Sequence, residues 1–338
     1  MKITIAEQLR PFSHTPGAAC VIPGSGWEIE AFPTLLRFGN RIEAVFKLTG
    51  PVKGFTLQQD LEKNCVWVFG EAKEGYYRFR IEASDSGIEL WAEKTPEKGI
   101  ECNGKIIRRK EKVYFPAEVP FVHCKPEERL SLGNHKAQDW DLVQKRGDLK
   151  ELAPVLFAVG QKIPYVVPGP LKGTARLLKL PEDRNLAAEA LENFFKAAFT
   201  KMLVPRLIDD QYQGLVPEEE VGGDPLFLLQ EGMKMIRALF FAQNDRRLKL
   251  LGFLPIPFDS GRMIRVKAVG VGELDFEWSK KQLRRLIIRA DTTGDVVLEL
   301  PKGIDSFRVK RSLREKGKKQ KNPLFLEAGK TVFVDRFQ

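Results

Sequence analysis

The run RLKLLGFLPIPFDSGRMIRVKAVGVGELDFEW, from Arg247 to Trp278, carries more structural information than any other part of this 338-residue chain. A short apolar run ends in a Leu-Pro pair, and the chain then turns through Ser260 and Gly261. Beyond a run of Val, Ala and Gly, apolar and polar side chains alternate as far as Trp278. Alternation with a period of two is typical of strands with one buried face. We therefore expect strands from Leu248 to the C-terminus.

The first 125 residues show the same alternation in three places. Apolar side chains occupy every second position from Ile42 to Leu48, from Tyr77 to Ala83 and from Ile88 to Ala92. Turn-forming residues separate these runs, and the Asn103-Gly104 pair suits a tight hairpin. Short strands at this spacing predict an N-terminal antiparallel β-sandwich.

The period of the apolar positions changes after Pro126. Residues at i, i+3 and i+4 spacing predict a core-facing helix that Pro205 should end. Asp224 and Pro225 suit a helix N-terminus, because Asp can cap free N–H groups and Pro has no N–H to leave unpaired. The predicted helices cover residues 135–146, 148–161, 186–203 and 224–243.

The order of elements is therefore β, α, β. We predict a multidomain α+β protein with an N-terminal antiparallel β-sandwich, a reduced α-helical domain and a small C-terminal β-domain. The predicted domains cover residues 1–125, 126–245 and 246–338.

Composition excludes a disordered chain, since 43% of residues are hydrophobic and charges of both signs make up 30%. The N-terminal sequence MKITIAEQLRPFSHTPG lacks the apolar run of a signal peptide or membrane anchor, so we expect a cytoplasmic protein with no membrane partner. The four cysteines and three histidines show no metal-ligand spacing. We expect reduced thiols, no metal site and no cofactor.

The chain has 55 Lys and Arg against 45 Asp and Glu, a net charge of +10. Part of this excess lies between Lys310 and Lys321, a run without aromatic residues. Sites for single-stranded nucleic acid combine cations with stacking aromatics. We therefore expect a solvated hairpin loop here, and the sequence disfavours nucleic acid as a partner.

The best candidate site is the acidic stretch between two apolar helices, from Leu207 to Gly223. Carboxylate and amide groups beside an aromatic ring suit sugar recognition, although solvated loops are also rich in acids. The candidate substrate-binding residues are Asp209, Asp210, Gln211, Tyr212, Gln213 and Glu220.

The stretch from Arg247 to Trp278 resembles the junction between the helical barrel and the C-terminal β-domain in one clan of inverting glycosidases. That clan holds the bacterial α-L-fucosidases and, more distantly, the maltose-phosphorylase-like enzymes, and the resemblance covers mainly residues 218–300. In the fucosidase-like enzymes an acidic base lies four positions before a Gly-Gly pair. Here Gly222 and Gly223 form such a pair, and Glu218 stands where the family has Asp. The resemblance implies that Glu218 is a catalytic base.

The resemblance also implies a partial α/α barrel. A barrel of six helix pairs needs well over 200 residues, at roughly 12 per helix plus loops. The 120 residues from Pro126 to Asp245 fit only four to six helices. We therefore expect a reduced version of that domain, and no residue matches the family's general acid.

Three functions are compatible with these features. The first is a carbohydrate-related protein that hydrolyses or phosphorolyses a glycosidic bond without a metal, acting on a carbohydrate or glycoconjugate. The second is a non-catalytic scaffold that binds a glycan or a protein. The third is a basic protein associated with nucleic acid. The sequence leaves open whether the chain is an enzyme.

Overall fold

The computed structural model describes residues 2–39, 41–118, 120–125, 127–134, 136–209, 222–300, 303–312 and 314–338. Strands account for 41% of the residues and helices for 17%. The protein is thus multidomain and β-rich, with several sheets and few helices, as the sequence predicted. None of the helices in these ranges is long and apolar enough to cross a membrane.

The N-terminal region forms two six-stranded antiparallel sheets, in the orders β1-β6-β7-β8-β9-β12 and β11-β10-β5-β4-β3-β2. The sheets face each other, because the Phe46 ring stacks on Phe79 of the opposite sheet at 4.6 Å between centroids. The strands are β1 (Phe12–Ser13), β2 (Ala18–Val21), β3 (Glu28–Phe32), β4 (Leu35–Phe38), β5 (Ile42–Lys47), β6 (Lys53–Asp60), β7 (Cys65–Ala72), β8 (Gly75–Ser84), β9 (Gly87–Lys94), β10 (Ile100–Cys102), β11 (Lys105–Ile107) and β12 (Lys112–Pro116).

The alternation in the sequence correctly identified the buried faces of these strands. In β8 the side chains of Tyr77, Phe79 and Ile81 are buried, whereas Arg78 and Arg80 remain half-exposed on the other face. The interior of the sandwich is therefore apolar, and its outer faces carry charge.

The four α-helices of the described residues overlap the four predicted helical ranges, whereas the short 3₁₀ helix was not predicted. The helices are α1 (Trp140–Arg146), α2 (Leu149–Gly160), the 3₁₀ helix η1 (Gly173–Leu178), α3 (Arg184–Ala198) and α4 (Phe227–Phe240). Asp139 caps α1 by accepting from the backbone N–H groups of Asp141 and Leu142, so this helix begins later than predicted. Gly147, in the left-handed conformation, ends it.

The predicted end of α3 at Pro205 is wrong. The helix stops at Ala198, and the chain forms a small hairpin of β14 (Phe199–Thr200) and β15 (Val204–Pro205). The backbone N–H of Met202 donates to Ala19 O of β2 at 3.0 Å, which attaches this hairpin to the sandwich. Contact with the sandwich therefore overrides the helical period of the sequence.

The C-terminal region contains a seven-stranded sheet in the order β13-β18-β19-β20-β25-β22-β23 and a four-stranded sheet in the order β16-β17-β21-β24. Its edge strand β13 comes from residues before α1 that the sequence did not identify as a strand. The strands are β13 (Arg129–Ser131), β16 (Phe241–Asn244), β17 (Arg247–Leu250), β18 (Gly261–Ala268), β19 (Gly272–Ser279), β20 (Gln282–Ala290), β21 (Gly294–Glu299), β22 (Phe307–Lys310), β23 (Lys318–Gln320), β24 (Leu324–Leu326) and β25 (Thr331–Asp335).

The basic run is partly a strand, which corrects the prediction of a loop. Lys318 and Lys319 lie in β23, an edge strand paired with β22, and both side chains are exposed. Lysines on an exposed edge discourage pairing with further chains. Lys321 forms a surface ion pair with Asp305 at 3.1 Å.

Three consecutive charged residues, which we call the strap, form ion pairs with both the N-terminal sandwich and the helical region. Glu127 accepts from Lys162 Nζ, just beyond α2, at 2.6 Å. Glu128 binds Arg237 of α4 through both carboxylate oxygens, at 2.7 and 2.8 Å. Arg129 binds Glu62, in the turn after β6, at 2.7 Å. The strap (Glu127, Glu128 and Arg129) therefore contacts the sandwich, the segment just beyond α2 and helix α4.

Helices α2 and α4 cross in backbone contact at Gly160. A Cβ atom at this position would lie 2.4 Å from Leu229 O and 2.5 Å from Met233 Cβ. Real Cβ atoms do not approach a backbone oxygen so closely, so only glycine permits this crossing. At Gly232 of α4, by contrast, a Cβ would lie 3.1 Å from side-chain atoms of Leu156 and Phe194.

We predict that Gly160→Ala destabilises the protein by roughly 1–3 kcal/mol, because overpacking would force the two helix backbones apart. Gly232→Ala is the matched control, since its neighbours are side chains and its helix gains up to about 1 kcal/mol from alanine's propensity. Denaturant unfolding of the two variants measures the difference. Equal stabilities would show that backbone contact does not govern the crossing.

Candidate functional site

A groove runs across the outer face of the sandwich over strands β3 and β4. It consists of two adjoining cavities of about 700 and 460 Å³, which share Glu28, Gly39 and Arg41 as lining residues. A concavity of this size is sufficient for a ligand of several hundred Å³. We call it the outer groove.

Strand periodicity places the polar side chains in the outer groove. In β3, Ile29 and Ala31 face the core, so Glu28 and Glu30 point outwards. In β4 the side chain of Arg37 points outwards between two buried residues. Charged residues from neighbouring strands therefore come side by side on one surface.

Carboxylates and cations alternate along the floor of the groove. Arg37 donates from Nε to Glu43 at 2.9 Å and from Nη1 to Glu30 at 3.5 Å. Glu30 also accepts a hydrogen bond from Lys201 Nζ. This bond from Lys201, reinforced by the charges of Lys201 and Arg37, lowers the pKa of Glu30 below its ordinary value despite partial desolvation. Glu30 is therefore an ionised acceptor at neutral pH.

The β14–β15 hairpin fixes Lys201 at one end of the groove. The backbone carbonyl of Lys201 accepts from Trp140 Nε1 and Gln144 Nε2 of α1, at 2.5 and 2.9 Å. Lys201 itself has a positive φ of 43°, an uncommon conformation for a residue other than glycine. Two side-chain donors thus hold the turn that presents the ammonium group.

The opposite end of the groove carries the Trp27 ring. The backbone N–H of Trp27 donates to Ser25 Oγ at 3.2 Å, and its carbonyl accepts from Ile22 N at 2.8 Å. One edge of the half-buried ring lies about 3.6 Å from the position that a Cβ on Gly39 would take. A turn and a glycine contact therefore hold an aromatic surface beside Arg41.

The outer groove combines an aromatic surface with rows of fixed donors and acceptors. Sugar hydroxyl groups both donate and accept hydrogen bonds, as do those of serine and threonine. The paired side chains around Arg37 supply both partners at fixed positions. An open groove of this kind suits binding of a polar ligand better than a reaction that must exclude water.

The structure places one of the predicted site residues away from this groove. Asp209 is half-buried and directly follows Ile208, whose carbonyl accepts from Thr174 N of η1 at 3.3 Å. Asp209 does not line the outer groove. The others, Asp210, Gln211, Tyr212, Gln213, Glu218 and Glu220, lie outside the described residues.

The residues that follow the predicted segment lie close to the Trp27 end of the groove. Gly223 lies against Gly169, and Leu226 Cδ1 lies 2.6 Å from the position of a Cβ on Gly26. Gly26 lines the groove next to Trp27. The chain therefore reaches one end of the outer groove at Leu226, three residues after Gly223.

Sequence reasoning missed Trp27, Glu30, Arg37, Arg41 and Lys201. The pattern EIEAF in β3 does indicate two outward carboxylates, but the same pattern describes any solvated strand face. Only the position of the β14–β15 hairpin turns that face into a groove, and no local signal in the sequence predicts it.

The cysteines show no sign of activation. Cys20, Cys65 and Cys102 are buried free thiols, and Cys124 is half-buried. Burial raises the pKa of Cys65 to about 12 and that of Cys102 to about 11, so both remain protonated at neutral pH. Within the described ranges, no group of three or more His, Cys, Asp or Glu side chains is arranged to hold a metal ion.

Comparisons with models of known protein families and with curated proteins found no match to this chain.

We predict that Glu30→Gln lowers stability at neutral pH by less than about 1 kcal/mol, the usual scale for a partly exposed ion pair. Because the pKa of Glu30 is lowered on folding, its contribution is present above the unfolded value of 4.5 and is lost as pH falls through the folded value. The difference between wild type and variant should therefore shrink below pH 4.5, as measured by denaturant unfolding. Glu101→Gln is the control, because Glu101 pairs at 3.4 Å with the highly exposed Lys47. A stability difference between wild type and Glu30→Gln that does not change with pH would contradict the assignment of Glu30 as an ionised acceptor.

Proposed function

We propose that this chain is a carbohydrate-related protein that binds a glycan or glycoconjugate in the outer groove. The observation that supports this most is the presence of the Trp27 ring and the alternating charges around Arg37 in one open groove. An aromatic ring offers an apolar face to the C–H groups of a sugar, while the charged groups bind its hydroxyls.

The charge pairing favours a neutral polyhydroxyl ligand over a simple ion. Glu30 and Glu43 both bind Arg37, and Glu30 also binds Lys201, so little unbalanced charge remains on the floor. A hydroxyl group can nevertheless accept from a guanidinium and donate to a carboxylate at the same time.

The groove supports binding more strongly than catalysis. Inverting hydrolysis requires a carboxylic acid with a raised pKa facing a carboxylate about 6.5–9.5 Å away. The pKa of Glu30 is lowered instead, because Lys201 and Arg37 stabilise its ionised form. Glu30 is therefore unsuited to be the general acid.

Catalysis is the second candidate function, and it depends on Glu218. The resemblance to inverting glycosidases supports Glu218 as a base in metal-free hydrolysis or phosphorolysis, with the helical region as a partial α/α barrel. The contact between Leu226 and Gly26 also supports it, because Leu226 follows Glu218 by only eight residues and lies at the end of the outer groove.

The test of binding is Trp27→Ala against a panel of defined oligosaccharides, followed by calorimetry on those that bind. We expect affinity to fall at least tenfold, which corresponds to about 1.4 kcal/mol, because the aromatic surface is lost. Trp91→Ala is the matched control, since Trp91 is also half-buried but lies in β9 of the opposite sheet. Absence of binding by the wild type, or equal losses in both variants, would contradict the proposal.

The catalytic candidate has a separate test. Glu218→Gln keeps the shape of the side chain and removes its charge, so we expect folding to remain intact and turnover of a glycosyl fluoride or nitrophenyl glycoside to be abolished. Product release measures turnover, and circular dichroism measures folding. If the wild type turns over no glycoside, or if the variant remains active, Glu218 is not the base and the scaffold hypothesis is retained.

A further inference from the structure

A second cavity lies where the strap meets the sandwich, α2 and β18. Its volume is about 280 Å³, close to the lower end of the range for small-molecule sites. Its walls include Asn64 beyond β6, the strap, Lys162 and Arg265 of β18. We call it the strap cleft, and it is distinct from the outer groove.

Three of the four acidic side chains that line the strap cleft are paired with cations, and the fourth, Glu7, is exposed. Glu127 pairs with Lys162, whose Nζ also donates to Asn64 Oδ1. Glu62 binds both terminal nitrogens of Arg129 at 2.7 Å. Glu128 likewise accepts two hydrogen bonds from Arg237. Each carboxylate that the strap contributes or contacts therefore has a cation of its own.

The guanidinium of Arg265 has no such partner. Within the described residues, no group accepts a hydrogen bond from its Nε, which is buried, and no carboxylate lies within ion-pair distance of its side chain. Its charge acts on Glu127 only from a distance. The Arg265 side chain is only half-buried and lines the cleft, so an acceptor from outside the chain can reach its unpaired guanidinium.

The backbone at Arg265 has a special conformation. Its φ is +59°, and the pairing of β18 with β19 shifts between Met263 and Val266, as in a β-bulge. Such a conformation is strained and occurs often at ligand sites. Asp275, which is only 3% exposed, stabilises it by accepting from Arg265 N at 2.9 Å. The chain therefore uses a buried carboxylate to hold Arg265 in a bulge on the cleft wall.

We infer that the strap cleft binds the carboxylate or phosphate group of a small molecule, with Arg265 as the residue that recognises it. A guanidinium binds either oxyanion through two parallel hydrogen bonds, and it does so with more geometric specificity than an ammonium group.

Two further features agree with a binding site rather than a reactive one. Burial raises the pKa of the Cys124 thiol, which disfavours the thiolate needed for nucleophilic attack. Burial also raises the pKa of Glu127, so the repulsion between this carboxyl and an incoming anion is reduced as pH falls toward its folded value.

The test is calorimetry on the full chain with two probes, inorganic phosphate and succinate, at constant ionic strength. We expect at least one probe to bind the wild type and to bind Arg265→Gln at least tenfold more weakly. Arg265→Lys keeps the positive charge but loses the two parallel N–H donors of the guanidinium, so it should show an intermediate affinity. The probe that binds more tightly identifies phosphate or carboxylate as the group recognised.

Lys267→Gln is the matched control. Lys267 lies in the same strand as Arg265 and is exposed, so this substitution removes one positive charge outside the cleft. Its affinity for the probe should equal that of the wild type. The inference fails if neither probe binds the wild type, or if Lys267→Gln weakens binding as much as Arg265→Gln. Because the wild-type measurement and the lysine variant each test the site, an unfolded Arg265→Gln protein would not prevent a decision.

Discussion

The strap is the interaction on which the rest of the structure depends. Glu127, Glu128 and Arg129 are adjacent in sequence, yet their ion pairs reach Lys162 just beyond α2, the last turn of α4 and the sandwich. Buried or half-buried ion pairs contribute little net stability when compared with apolar packing, but losing one partner leaves an uncompensated charge. The strap therefore acts mainly by specifying how the sheets and helices fit together.

Both candidate sites are consequences of this arrangement. Lys162, whose side chain binds the strap, accepts a hydrogen bond at its backbone carbonyl from Gly24 N at 2.6 Å. Gly24 belongs to the turn that precedes Trp27, so Lys162 connects the strap, through its side chain, to the outer groove, through its backbone carbonyl. The strap also forms a wall of the cleft that contains Arg265. The same junction thus borders two candidate sites, one that we propose for hydroxyl groups and one that we propose for an oxyanion.

Local chemistry was enough to predict the order of elements. Alternation in β8 identified the buried face correctly, and the helical period also places apolar residues of α4, among them Leu228, Leu229 and Ile236, in the core. Features that depend on distant contacts were missed, including β13, which pairs with β18, and the end of α3 at Ala198. The strap looks like an ordinary charged segment in the sequence, because its partners lie far along the chain.

Hydrogen exchange measured by mass spectrometry, with and without a bound oligosaccharide, tests the central claim most directly. Backbone amides in the turns that line the outer groove exchange through local opening, and a ligand that binds there must slow this opening. We expect slower exchange in residues 22–28 and 199–205 and at Gly39 and Arg41, with no change in β8 and β9. Protection in the strap cleft alone, or no protection anywhere, would contradict it.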